Sequence, residues 1–256
     1  MTIDATSVCF FAAVAADVEA PLAPGATVLD FGCGDGADVE AWRSQGYRAF
    51  GCDIVIERPA DWLRLIGTPY RLPFADATFD LVVSDQVMEH VQDHDLAFSE
   101  IHRVLKPGAT SLHRFPPRWR PIEVHVRMPL AGVVQRRSWL ALWARLGIRN
   151  EFQVERSWRD VTELDLEYLH TRTRYLTRNQ ILSAGRRWFA EVALLDELAL
   201  KHGRRARRAY PFARAFPPLA RVYGELGVRL LLLRRASDSS AQDCQGSATQ
   251  RSAFSS

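Results

Sequence analysis

Val28-Leu29-Asp30-Phe31-Gly32-Cys33-Gly34-Asp35-Gly36 joins a short apolar run to a turn almost without side chains, and Asp38-Val39-Glu40-Ala41-Trp42 follows as the first turns of a helix. Glycine reaches φ > 0 without a Cβ penalty and lets backbone come close to a ligand. The free N–H groups at a helix start then face that ligand. A strand, a glycine turn and a helix in this order make a nucleotide-binding βα unit of an open α/β sheet.

Gly32, Gly34 and Ala37 formally satisfy the G-x-G-x-x-G/A dinucleotide pattern. The acids around them point elsewhere. Asp30 stands at the strand end and Asp35 inside the turn, where a pyrophosphate would be repelled. S-adenosylmethionine has an ammonium group and a sulfonium and no phosphate, so these charges favour it. The next strand, Tyr47 to Cys52, ends at Asp53, an acid about 20 residues after the turn that can hydrogen-bond both ribose hydroxyls of an adenosine.

Further landmarks follow in order. Leu72-Pro73-Phe74-Ala75-Asp76-Ala77-Thr78-Phe79-Asp80-Leu81-Val82-Val83-Ser84, then Val87-Met88-Glu89-His90-Val91, then Glu100-Ile101-His102-Arg103-Val104-Leu105-Lys106-Pro107-Gly108 resemble the later motifs of class I S-adenosylmethionine-dependent methyltransferases of the type 11 kind. The resemblance is strong over roughly 25–115 and fades beyond. It implies a Rossmann-like methyltransferase fold, a mainly parallel sheet with helices on both faces and a C-terminal lid or extension. It also implies a cofactor site of Asp30, Gly32, Gly34, Gly36, Asp53 and Ser84. Two departures stand out. Residues 54–62, with Pro59, are too few for the helix usual there and predict a loop or single turn. Where the family often has an Asp reaching the adenine, this chain has Thr68, so Thr68 or a carbonyl near Tyr70 is expected to take that contact.

The residues support the same layout on their own. Phe79 to Ser84 is a buried-strand pattern, and Asp93-His94-Asp95 caps a helix running to Leu105. Lys106-Pro107-Gly108 is expected to stop that helix and lead into a strand from about Thr110 to Phe115. Ligands on such sheets bind at the carboxyl ends of the strands.

The expected organisation is an N-terminal helix in 1–24, a cofactor-binding core in 25–115, a substrate lid in 116–176, a C-terminal helix and late antiparallel strand in 177–235, and a disordered tail in 236–256. Within the lid, Ser138 is expected to cap a helix over 139–146 whose Trp139, Leu142, Trp143 and Leu146 share a face, plain core by preference. Thr177 begins another helix, closed by Gly185. Val228 to Leu233 reads as the late strand.

No apolar run reaches the roughly 18 residues of a spanning helix, and Val8 to Ala16, preceded by Asp4 and no basic residue, reads as an amphipathic helix. Cys9, Cys33, Cys52 and Cys244 have neither metal-like nor paired spacing, so no metal is expected and the protein is placed in the cytoplasm. Residues 1–100 hold 5 basic and 17 acidic side chains, whereas 101–256 hold 28 and 13. A basic half of this kind can receive an anionic substrate, meet an acidic membrane at the inner face, or pair with the acidic half. Its densest run, Lys201 to Arg208, precedes aromatics and prolines at 210–218; within 201–235, basic and apolar residues together suit peripheral contact with an anionic bilayer. The bland alternative is a solvated loop. No nucleic-acid-binding module is recognisable.

Methyl transfer from a sulfonium leaves a neutral thioether, so the protein must chiefly align acceptor, methyl and sulfur. A base helps a hydroxyl or amine acceptor. His90, His94, His113 and His125 are candidates; His90 and His125 are preferred, the latter because Glu123 can orient it. The acceptor class is a small molecule, glycan or lipid. The competing functions are an NAD(P)-dependent oxidoreductase using the formal dinucleotide turn, and a non-catalytic cofactor-fold protein acting through its basic half.

Overall fold

The computed structural model describes residues 6–67, 70–204 and 206–238. Thr68, Arg205, Cys244 and nearly all of the expected tail lie outside the described residues.

Seven strands form one open sheet: β1 (Thr27–Phe31), β2 (Arg48–Asp53), β3 (Leu63–Leu65), β4 (Phe79–Asp85), β5 (Leu105–Phe115), β6 (Glu191–Leu194) and β7 (Arg229–Arg234). Their order is β3-β2-β1-β4-β5-β7-β6, with β7 antiparallel to both β5 and β6 and the rest parallel. This is the Rossmann-like methyltransferase fold. Every residue of β1 is buried, as expected of a strand covered on both faces.

Alternation along the strands divides the core into two layers. Leu29, Phe31, Val82, Leu231 and Leu233 meet α3 (His94–Val104) and α6 (Arg178–Gly185) through Phe98, Ile101, Val104 and Ile181. Val28, Leu81, Val83, Leu230 and Leu232 face the other way, against α1 (Thr6–Asp17), α2 (Ala37–Ser44) and α7 (Asp196–His202), where Phe11, Val14, Trp42 and Ala199 are buried. A separate small core of Val126, Met128, Leu140, Ala144, Val161 and Leu169 joins α4 (Arg137–Arg145) to α5 (Trp158–Thr171).

Several elements form as their sequence predicts. The Asp93 carboxylate accepts the Asp95 and Leu96 N–H groups at the start of α3. Thr177 and Gln180 make a reciprocal capping box on α6. Residues 54–62 are irregular.

Other expectations are corrected. Ser138 lies inside α4, which starts at Arg137, and caps nothing. The buried side of α4 is Leu140 and Ala144, flanked by the two tryptophans; Leu142 and Leu146 are exposed, because α5 approaches the helix from the Leu140 side. Lys106-Pro107-Gly108 does not precede β5 but lies within it, as a bulge between the Phe79–Leu105 and Leu81–Thr110 pairings, with Gly108 at φ +77. Among its described residues the basic run is mostly helical, with Gly203 and Arg204 as a short link. It ends α7 and enters a 3-10 turn (Ala206–Ala209), followed by α8 (Tyr210–Ala215) and α9 (Pro218–Leu226). β6 is an additional antiparallel strand beyond the expected late one.

Candidate active site at the carboxyl ends of the strands

The glycine turn is held by backbone. The Gly32 and Cys33 N–H groups donate to the Cys52 carbonyl oxygen at 2.8 and 3.2 Å, and Gly36 donates to Cys33. Gly32 and Gly36 have φ of +79 and +82, and a Cβ on either would collide with Val87 or Leu63. Gly34, at φ +51, faces open space, which leaves its backbone free to meet a ligand. Its N–H donates to Asp53 Oδ2 at 2.8 Å, so the acid at the end of β2 braces the turn. Asp53 Oδ1 accepts the Ile54 N–H at 2.6 Å.

Asp30 is buried at the end of β1, and burial pushes its carboxyl well above the usual carboxylate range. The carboxylates of Asp38, Asp85 and Asp53 push it the same way. Four acids thus surround the turn, and among the described residues no Lys or Arg forms an ion pair with Asp30 or Asp53. Burial also pushes the Cys33 thiol up to about 12, so it is a thiol at neutral pH.

Ser84 does not reach this bowl. Its side chain is fully buried, and its hydroxyl lies 2.7 Å from Nδ1 of His113, its register partner on β5. Nε2 of His113 lies 2.7 Å from the Ser111 hydroxyl, which donates onward to the Val82 carbonyl. Burial takes the His113 pKa down to about 3. His113 is therefore a structural histidine inside the sheet. His94 is another: its ring donates to the Met88 carbonyl and burial takes its pKa down to about 4. The rim position at the end of β4 belongs to Asp85, one residue past Ser84. Tyr70, in the loop after β3, has φ +54 and uses its hydroxyl to accept the Gln92 N–H.

His90 and His125 come together although they are 35 positions apart, with Nε2 atoms 3.2 Å from each other. Glu123 orients His125, with Oε1 2.8 Å from Nδ1. Tyr175 and Glu89, which sequence reasoning left out, complete this cluster. The Tyr175 hydroxyl donates to Glu123 at 2.5 Å. Glu89 is buried, and burial pushes its carboxyl up to about 7. The one sequence signal for Glu89 was its place directly before His90.

A cleft of about 730 Å³ opens beside the bowl, between the ends of β4 and β5 and helices α1, α7 and α9. Asp85, Gln86, Arg114, Phe10 and Tyr223 line it. Arg114 pairs with Asp85 and stands over the Phe10 ring at 4.5 Å. The sequence offered no sign of this cleft, because its walls come from both ends of the chain.

Residues 29–112 match the family described as a methyltransferase domain. A protein of Erwinia billingiae (strain Eb661) named malonyl-[acyl-carrier protein] O-methyltransferase is 33% identical over 117 residues, 39% of this chain and 46% of that relative. A probable S-adenosylmethionine-dependent methyltransferase of Mycolicibacterium smegmatis is 36% identical over 101 residues, 37% of this chain and 39% of its own. The chain spans about half the length of the curated relatives it matches. Among solved structures, the YcgJ protein of Bacillus subtilis superposes with a TM-score of 0.51 at 15% identity, covering 91% of this chain and 98% of that one, a likeness of fold. Residues 29–112, which carry the glycine turn and the acid ending β2, are thus a methyltransferase domain of the class I S-adenosylmethionine-dependent, type 11-like kind.

Proposed function

We propose that the whole chain moves a methyl group from S-adenosylmethionine to a small-molecule, glycan or lipid-type acceptor held in the cleft beside Asp85, Gln86 and Arg114. The observation that carries this reading is the placing of Asp30 and Asp53 at the glycine turn, with neither in an ion pair among the described residues. It would repel the pyrophosphate of a dinucleotide, and it complements a ligand with an ammonium and a sulfonium. Asp53 would take the ribose hydroxyls while bracing Gly34. The Gly34 backbone would lie against the cofactor, and Asp30 would face its cationic end.

The reaction is an in-line displacement in which the acceptor's lone pair forms the new bond to the methyl carbon as the carbon–sulfur bond breaks. The sulfonium becomes a thioether, so no acid is needed. The protein's part is alignment and exclusion of water. The Erwinia relative is named for O-methylation of malonyl-[acyl-carrier protein] and matches 39% of this chain, which supports methylation as the reaction here.

A peripheral membrane role for 201–235 has one observation in its favour. Phe212 and Phe216 are 69% and 64% exposed on α8 and the link to α9, beside Arg207, Arg208 and Arg214. No helix is long and apolar enough to cross a membrane among the described residues.

Calorimetric titration with S-adenosylhomocysteine and, in parallel, with NAD tests the central reading. Binding of S-adenosylhomocysteine alone is expected. Binding of NAD alone would refute it and revive the oxidoreductase reading of the turn.

A further inference from the structure

The cluster where the turn after β4 meets residues 123–125 and 172–175 has chemistry that methyl transfer does not require. His90 and His125 face each other Nε2 to Nε2 at 3.2 Å. The other nitrogen of each ring is committed. His90 Nδ1 lies 2.8 Å from the Arg172 carbonyl oxygen, which only accepts, so that nitrogen carries the proton. His125 Nδ1 faces Glu123 Oε1, and Glu123 also accepts from the Tyr175 hydroxyl and from the His125 and Val126 N–H groups at 2.7 Å each. Four donors thus hold the Glu123 carboxylate in place as the acceptor behind the His125 ring. With both Nδ1 atoms facing acceptors, the two Nε2 atoms are left to face each other. That arrangement is repulsive unless something electron-poor lies between them.

Glu89 supplies the third donor. It is 1% exposed, and neither carboxylate oxygen has a hydrogen-bond partner. One oxygen lies 4.0 Å from His90 Nε2. A buried carboxylate left without a partner is unfavourable, and proteins resolve it by protonation, by pairing or by metal coordination. Donor atoms of Glu89, His90 and His125 all fall within 4.8 Å of one another.

We propose that Glu89, His90 and His125 bind a divalent first-row transition metal of the zinc class, with one coordination position open. Two imidazole nitrogens on a tetrahedral zinc, each at about 2.0–2.1 Å, stand about 3.3 Å apart. The two histidines already have that spacing. The carbonyl and the carboxylate on their far nitrogens are the partners that fix the tautomer of a metal-bound histidine. Imidazole donors favour zinc, iron, nickel or copper over magnesium and calcium. The side chains of His90 and His125 are 34% and 24% exposed, so the open position reaches solvent and accepts a water or an oxygen of a ligand. The ion would tie the turn after β4 to the segment carrying Glu123 and His125. Nothing in the spacing of the sequence announced it, because the ligands come from two distant segments.

The test uses the full chain, stripped with a chelator and titrated with Zn(II) and with Co(II) in competition with a chromophoric chelator. One equivalent per chain is expected, with a visible Co(II) ligand-field band. His125→Ala and Glu89→Gln should weaken binding on the order of 100-fold, and Glu123→Gln by about 10–100-fold through the loss of its support. His102→Gln, away from the cluster, should bind as the wild type does. Wild-type protein that takes up neither ion would overturn the proposal whether or not the variants fold. So would a proton between the two Nε2 atoms, seen by ¹⁵N NMR, that persists with Zn(II) in excess. Either outcome leaves the cofactor assignment untouched.

Discussion

Gly32→Ala separates the two reasons for a glycine at the end of β1. The first is conformational: φ is +79 there, and placing an alanine in the left-handed region costs about 1–2 kcal/mol. The second is steric: the added Cβ would lie 2.7 Å from Val87 Cγ1 and closer still to Cγ2. Overpacking of this sort costs about 1–3 kcal/mol. Val87 belongs to the segment after β4, so it shifts only by disturbing the neighbouring turn. The substitution should therefore cost about 2–5 kcal/mol, the sum of the two ranges. Val87→Ala removes the colliding methyls and costs about 1 kcal/mol by itself, because the side chain is only half-buried. In the double variant only the conformational part remains, so the pair should couple by about 1–3 kcal/mol. Urea unfolding of the four proteins measures the cycle. A Gly32→Ala cost that is unchanged by Val87→Ala would refute the steric argument, and with it the close approach of these two segments at the mouth of the site.

Asp53→Ala should weaken S-adenosylhomocysteine binding by about 1–3 kcal/mol, roughly 5- to 150-fold, by removing a charged acceptor that also braces Gly34; calorimetry showing an unchanged Kd would remove Asp53 from the ribose site. His113 predicts acid sensitivity. Its folded pKa of about 3 lies below the unfolded value, so between pH 6.5 and 3 the unfolded chain binds the extra proton and stability falls as pH falls, by at most about 1.4 kcal/mol per unit. Unfolding midpoints of wild type and His113→Asn at pH 7, 6 and 5 check this, and parallel slopes would contradict it. If α8 and its neighbours meet an anionic bilayer, sedimentation with phosphatidylglycerol vesicles at low salt should fall on replacing Phe212 and Phe216 by Ser, or Arg207, Arg208 and Arg214 by Gln; a wild type that stays in the supernatant ends that reading.

What the sequence made legible was local. Val28 to Gly36 encodes a strand, three left-handed glycines and a helix start within nine positions, and each signal concerns its own backbone. Asp93 and Thr177 cap their helices through N–H groups two or three residues away, as such residues do. Apart from Ser138, a local cap that the start of α4 at Arg137 takes inside the helix, the failures involve partners distant in sequence. Ser84 belongs to the sheet interior because His113 stands beside it on β5, and no spacing rule reports that. Lys106-Pro107-Gly108 looks like a terminator, but β4 tolerates a bulge there and pairing begins at Leu105. The histidine pair and Glu89 are assembled from the turn after β4 and a segment beyond the sheet. Leu142 and Leu146 are apolar and exposed because one side of α4 meets α5 and the other meets solvent.

The charge asymmetry is a further case in which topology decides the meaning. Part of the basic half pairs with the acidic half within the chain: Lys106 with Asp80 at 2.7 Å, Lys201 with Asp17 at 2.6 Å, Arg187 with Asp95 at 2.9 Å, and Arg114 with Asp85. Arg235 donates to the carbonyl oxygens of His102, Arg103 and Leu105, and Arg229, fully buried, pairs with Glu225. Exposed pairs of this kind add little stability individually. Their distribution matters more than their sum. With 33 basic side chains in the sequence, none of the described ones forms an ion pair with Asp30 or Asp53. A fold that pairs acids elsewhere and leaves Asp53 at the mouth of a glycine turn, with Asp30 buried beside it, disfavours the charge on Asp30 until a cationic ligand is there to meet it.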